Sequence, residues 1–378
     1  MCLGTGDALA NNMRLAVLLG SLAITLTATR GDASCEQVAH GYGPNGHAGL
    51  RVAVVAHGLD VPWGLAFLPD RSLLVTERPG RIDHIVDGRR MVIARVQVAQ
   101  PSERGLLGLA LHPDFAGNHL FYIYYTAETP HGPRNRVERW RLADDEASAT
   151  ADRVIVDGIP SATYHDGGRI AFGPDRMLYI GTGDATEPQS SQDPHSLAGK
   201  ILRVDPDGGV PADNPTHGSR VYITGVRNVE AFAWRADGAL AIAEHGPSGE
   251  LGRTGHDRVF LLAHPAGANL GWPTIYGCET RAGFAAPGLS WTEAVPPGGA
   301  AFDGDDFYIG TLKSEHLHHV RFDHDGGVAE HDVALAGRGR LRTVVLGPDH
   351  ALYITTSNCD GRGSCPAEHD VILRVTRR

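Results

Sequence analysis

The sequence predicts an all-β chain, a six-bladed β-propeller with four-stranded antiparallel blades. Three observations lead there. A hairpin unit, built as an apolar run, an Asp-containing turn and a second apolar run, recurs six times with turn aspartates spaced by roughly 44 to 68 residues, the span of a blade with insertions. No long amphipathic helical period interrupts the repeats. No linker or low-complexity stretch divides the 378 residues, which speaks against the competing architectures, a β-sandwich or two small β domains.

The first 34 residues stand apart. Arg14 precedes an apolar run over 15–28, and the small residues Gly31, Ala33 and Ser34 follow it, the pattern of an export signal. Residues 1–34 are therefore expected to be an export segment and 35–378 a single propeller domain, placed in the periplasm or outside the cell. No later segment is apolar for long enough to span a membrane. Export permits disulfides, and the exported chain would keep Cys35, Cys278, Cys359 and Cys365. Cys359 and Cys365 enclose a short Gly-rich loop and are the expected pair. Cys35 offers a site for a lipid anchor, although Asp32 stands where a lipobox has an apolar residue.

The repeats follow in order over 64–76, 108–124, 169–181, 231–242, 300–309 and 344–354. Between them lie further strand-like runs at 81–86, 136–141, 200–204, 258–262, 318–322 and 371–375. The turn aspartates Asp70, Asp114, Asp175, Asp237 and Asp349 sit where Asp caps local backbone, so their expected role is structural.

All six hairpins share one phase. If their turns point to one end of the propeller, the residues flanking each hairpin collect at the other. That rim carries Trp63 and Arg78, Glu103 and Arg104, His165 and Asp184, Arg227 and Asn228, His245 to Pro247, Lys313, and Arg340 and Arg342. His165 and Asp184 bracket the third hairpin, so one chain reversal brings an imidazole and a carboxylate together. A carboxylate that holds one ring N–H leaves the other nitrogen free to take a proton, the arrangement of a general base with its orienting partner. Lys313, Arg340 and Arg342 suit a ligand with several carboxylates or phosphates. The sharp loop at Gly246 and Pro247 exposes carbonyl oxygens of the kind Ca²⁺ takes, and Asp257 offers a carboxylate nearby. A net charge of −10 argues against nucleic acid as a partner.

These motifs resemble the soluble quinoprotein glucose/sorbosone dehydrogenases, also called aldose sugar dehydrogenases. The resemblance covers roughly 59–375 and rests on Pro62-Trp63-Gly64-Leu65, Arg104-Gly105-Leu106-Leu107-Gly108, His165-x-Gly167-Gly168-Arg169, Gly225-x-Arg227-Asn228, Glu244-His245-Gly246-Pro247, Asn269-Leu270-Gly271-Trp272-Pro273 and Gly339-Arg340-Leu341-Arg342. It implies a six-bladed propeller that uses pyrroloquinoline quinone (PQQ) and Ca²⁺ to oxidise a sugar, with electrons passed to an external acceptor. Carried over residue by residue, it makes His165 the base, Asp184 its partner, and Arg227 and Asn228 the groups on the quinone oxygens. Lys313, Arg340 and Arg342 become the clamp on the PQQ carboxylates, and Gly246 and Pro247 the carbonyl ligands of Ca²⁺. Glu103 stands where some members have Gln, and Trp291 is expected to stack on the quinone or the sugar. The segment 251–256 is longer than in relatives, and Arg258 follows Asp257 where an acidic residue is common, which departs from the pattern of additional Ca²⁺ sites.

Two other functions compete. A calcium-dependent lactonase or esterase on the same fold would need a central cluster of acidic and Asn side chains, and the rim offers cations instead. A non-catalytic extracellular binding propeller would have no use for the His165/Asp184 pair.

Overall fold

The computed structural model describes Met1 and residues 35–46 and 49–377. The expected export segment therefore lies, apart from Met1, outside the described residues. Six sheets form, and each contains four consecutive antiparallel strands or their closed equivalent. The first blade runs Pro62–Phe67, Leu73–Glu77, Arg81–Val86 and Arg89–Arg95; the third runs Ile170–Phe172, Leu178–Gly181, Ile201–Val204 and Val221–Ile223. The first strand of one blade meets the first strand of the next, as Pro62–Phe67 meets Leu106–Leu111 and Leu341–Leu346 meets Pro62–Phe67, so these strands line the axis. The only α-helix among the described residues is the single turn Phe115–Asn118. The six-bladed expectation is met.

Apolar alternation explains the packing. Six buried clusters fill the six spaces between blades. Tyr122, Tyr124, Ile170 and Leu178, for example, close the second blade on the third. Where inner strands approach most closely only glycine fits: a Cβ on Gly108 would lie 2.1 Å from the Gly168 carbonyl oxygen.

The sequence reading missed two N-terminal strands, one of which closes the ring. Leu50–Leu59 pairs antiparallel with Asp370–Arg377, so the N-terminal strand completes the last blade. Glu36–Val38 adds a parallel fifth strand to the fourth blade at Leu289–Trp291. Cys359 pairs with Cys365 as expected, and Cys35 pairs with Cys278. The second bond corrects the lipid-anchor expectation, because a sulfur held in a disulfide cannot also carry a thioether. No helix among the described residues is long and apolar enough to cross a membrane.

The axis is filled by Arg169. Its guanidinium donates to the carbonyls of Glu230 (2.6 Å) and Gly298 (2.8 Å) and to the Thr343 hydroxyl (3.0 Å), and its carbon lies 4.6 Å from the Trp63 ring centre. One side chain thus ties five blades together. Burial pulls its pKa down to about 10, which still leaves it charged at neutral pH.

Candidate active site

At the end of the blades opposite the Asp-containing turns, the loops enclose a cavity of about 650 Å³. Its lining includes Trp63, Glu103, His165, Arg227, Gly246, Pro247, Asp257, Lys313, Arg340 and Arg342, which the shared phase of the hairpins assigned to one rim or the loop beside it. Closure of the ring, rather than any one hairpin, brings them together.

His165 ends the loop that enters the third blade, and Asp184 follows the second strand of that blade. His165 Nδ1 donates to Asp184 Oδ1 at 2.7 Å; the carboxylate can only accept, which fixes the proton on Nδ1. Asp184 is fully buried and is itself held by the Trp272 indole N–H at 2.8 Å and the Thr186 N–H at 2.9 Å. The His165 backbone is left-handed at φ 63°, and its N–H donates to Glu103 at 2.6 Å. Neighbouring structure must hold this conformation, as is common at functional positions. Gly183 makes it sterically possible, since a Cβ there would lie 1.8 Å from the His165 carbonyl oxygen.

The basic groups are ordered by carboxylates. Arg342 donates to Glu230 at 2.6 Å and to Ser357 at 2.9 Å, while Arg340 donates to Asp360 at 2.7 Å. Burial works to raise the Asp360 carboxyl, but Arg342 and Arg340 outweigh it and hold it below the ordinary range. Arg227 is 2% exposed, lies over Trp272, and donates to Glu250 at 2.7 Å, while its Nε has no partner among the described residues. Glu250 Oε1 also lies 3.5 Å from His165 Nε2. Burial acts to raise the Glu250 carboxyl, and the stronger pull of Arg227 and the Ser248 N–H keeps it lowered and charged.

Among the described residues, no hydrogen bond is accepted by the carbonyl oxygens of Gly246 or Pro247. Asp257, expected as a carboxylate for a metal, instead accepts the N–H groups of Gly246 at 3.0 Å and Val295 at 2.7 Å, and so shapes that loop.

Two expected ligand contacts are corrected. Trp291 is 2% exposed, donates to the Tyr42 carbonyl at 3.1 Å and packs edge-on against His318 in the core; it does not line the cavity. It belongs to the fourth strand of its blade, whose phase turns the indole inward. Asn228 also lies behind the cavity wall, where its carbonyl oxygen accepts the Gly167 N–H at 2.8 Å and its amide faces Glu230 at 3.3 Å. It positions the His165 loop against the fourth blade. Arg104 stands outside the main cavity, in a smaller one beside it.

The reading of the sequence missed Glu230, Glu250, Trp272 and Asp360. Glu230 carried a signal: it is the one charge in the inner strand Val229–Trp234, where an apolar residue is the norm. Trp272 was visible only as part of a motif with no assigned role.

The glucose/sorbosone dehydrogenase family profile matches residues 59–373. Among solved structures, a putative oxidoreductase (glucose dehydrogenase) of Thermus thermophilus is 44% identical, with a TM-score of 0.82 over 87% of this chain and 100% of that one. The PQQ-bound aldose sugar dehydrogenase of Streptomyces coelicolor is 36% identical, with a TM-score of 0.80 over 88% of this chain and 100% of that one. The aldose sugar dehydrogenase of Escherichia coli K12 is 30% identical over 349 residues, which span 83% of this chain and 92% of the relative.

Proposed function

The chain belongs to the glucose/sorbosone dehydrogenase family, and on that premise we propose that it is a PQQ-dependent dehydrogenase that oxidises an aldose or related sugar alcohol and passes the electrons to an external acceptor. The observation that carries the reading is the Asp184-oriented His165 in the same cavity as Lys313, Arg340 and Arg342.

The residues present fit such a cofactor. A cavity of about 650 Å³ is large enough for a fused-ring ligand with a sugar beside it. Lys313, Arg340 and Arg342 would hold its carboxylates, and the unpartnered Nε of Arg227 is a buried donor in need of an acceptor. The unengaged carbonyls of Gly246 and Pro247 are hard oxygen donors suited to Ca²⁺.

When bound, PQQ supplies a two-electron acceptor for the hydride that leaves the sugar carbon. The chain's own part is the proton. His165 Nε2 takes it from the sugar hydroxyl while Nδ1–H stays on Asp184, and the Trp272 and Thr186 contacts keep that carboxylate from turning away. Glu250 competes for Arg227 and for the same side of His165, so binding must displace or share it. The cation on the propeller axis, Arg169, stands against a central metal site of the lactonase kind. Export through residues 1–34 belongs to the same reading, and two disulfides suit an oxidising compartment.

The test is reconstitution. Protein freed of cofactor is given PQQ and Ca²⁺, and reduction of an acceptor dye is followed with a panel of aldoses. Turnover that requires PQQ is expected. Absence of tight PQQ binding would sink the proposal, and lactone hydrolysis with Ca²⁺ but no quinone would replace it.

A further inference from the structure

A second cavity of about 520 Å³ adjoins the first. Arg78, Tyr164 and Arg362 line both, so the two are contiguous. Their arginines differ in one respect. Those of the main cavity other than Arg78 have carboxylates: Arg227 has Glu250 (2.7 Å), Arg340 has Asp360 (2.7 Å), Arg342 has Glu230 (2.6 Å) and Arg362 has Glu103 (2.8 Å). Among the described residues Arg78 and Arg104 have none. Arg78 donates to the main-chain carbonyl of Asp360 at 3.1 Å, and Arg104 to the Ser161 hydroxyl at 3.2 Å. Among the described residues Asp360 is the one carboxylate lining the side cavity, and it is engaged by Arg340.

A partly buried guanidinium without an anion is unfavourable unless a ligand supplies one. Burial first, then the repulsion of Arg342, pull the Arg78 pKa below the ordinary arginine range and outweigh the more distant attraction of Asp360 and Glu103, neither of which is in salt-bridge contact with it. The position of the cavity says which ligand would gain from it. Tyr164 directly precedes His165, lies at the junction of the two cavities and has Arg362 5.3 Å from its ring centre. A substrate engaged at His165 and long enough to pass this ring would meet the space lined by Arg78 and Arg104.

We propose that the side cavity is an anion subsite for an acidic substituent on the substrate, so that the preferred substrate class is an anionic saccharide bearing a carboxylate or a phosphate. This rests on the sugar-dehydrogenase reading. Arginine's planar fork matches either oxyanion.

The experiment compares glucose, glucuronate and glucose 6-phosphate as substrates of the PQQ- and Ca²⁺-loaded protein, for the wild type, Arg104→Gln and Arg104→Lys, at low and high salt. In the wild type at least one anionic sugar should have a lower KM than glucose, and salt should narrow the gap. Which of the two benefits identifies the oxyanion. Arg104→Gln should raise the KM of that sugar by about tenfold, the order expected for one charge-assisted hydrogen bond. Its kcat/KM for glucose should stay within about twofold, as for a surface change away from the reacting atoms, and Arg104→Lys should restore part of the preference. The inference is overturned if the wild type treats neutral and anionic sugars alike, or if Arg104→Gln changes both alike. It is also overturned if Arg104→Gln weakens PQQ binding, which would assign the cavity to the cofactor. If the loaded protein oxidises no sugar, the dehydrogenase reading fails, and calorimetric titration of both anions still reads the subsite. Binding that Arg104→Gln removes supports it, and no binding to the wild type overturns it.

Discussion

The two ends of the hairpins are held by different kinds of contact. At the turn end, aspartate side chains accept backbone N–H groups two residues on: Asp70 from Ser72 (2.9 Å), Asp175 from Met177 (3.1 Å), Asp237 from Ala239 (3.1 Å) and Asp349 from Ala351 (3.3 Å). At the rim the partners are distant in sequence. Glu103 reaches the His165 N–H, Asn228 reaches Gly167, Trp272 reaches Asp184, and Arg342 reaches Glu230. Asp114 is the exception at the turn end, since its side chain caps no backbone and accepts instead from Arg176 of the next blade; the other turns are held within their own hairpins, whereas the rim exists only when the ring is closed. Chemistry belongs at the rim, because a site built from several blades can hold buried charges that no single hairpin could satisfy.

The contrast can be broken or sharpened by substitution. The largest effect is expected at the rim: His165→Ala should lower kcat with PQQ by about a thousandfold, the loss typical of a removed general base, with PQQ affinity little changed. Stopped-flow dye reduction and a PQQ titration measure the two separately, and full turnover by the variant would sink the proton role. Next comes the axis. Arg169→Met leaves the carbonyls of Glu230 and Gly298 and the hydroxyl of Thr343 without their buried donor. It should cost about 3 kcal/mol or more of stability by thermal denaturation, and activity should fall with it. A stable, fully active variant would show that the rim does not depend on closure around Arg169.

A smaller, pH-dependent effect is expected at Asp83, whose two buried carboxyl oxygens have no hydrogen-bond partner among the described residues. Burial first, and then Glu77, push its pKa up to about 8 from an ordinary 3.8. Between those values the unfolded chain has released this proton and the folded chain keeps it, so stability falls as pH rises through that window. Asp83→Asn, which cannot ionise, should flatten the decline in Tm between about pH 4 and 8; an unchanged profile would remove Asp83 as its source. The smallest effect is expected at the turn end. Asp237→Ala should lose about 0.5 kcal/mol and leave kcat/KM unchanged, in keeping with a local, exposed cap. A large loss of activity there would abolish the distinction between the ends.

Much of this was legible without coordinates. Each hairpin is a local object, and its apolar arms and turn residues can be read from short windows, which is why strand-like runs such as 81–86 and 258–262 coincide with observed strands. The common phase of the repeats then placed His165, Arg227, Lys313, Arg340 and Arg342 at one end. Trp291 failed because Leu289–Trp291 is too short to show which face it buries. Asn228 was placed at the correct end, but its orientation toward Gly167 is set by the neighbouring blade. Arg104 was read as one more rim cation, and only the loops around it separate its cavity from the main one.

By itself, then, the sequence determined the repeat, the blade count, the end of the propeller that carries the charges, and the His165/Asp184 pair, because all of these follow from local alternation and from contacts across one hairpin. The tertiary structure decided what closes the ring, with Leu50–Leu59 joining Asp370–Arg377. It decided that Arg169 fills the axis, that Glu230, Glu250 and Asp360 partner the rim arginines, and that Arg78 and Arg104 have no carboxylate among the described residues. The physical reason is that the balance of buried charge is settled between blades, among residues whose separation along the chain carries no periodic signal.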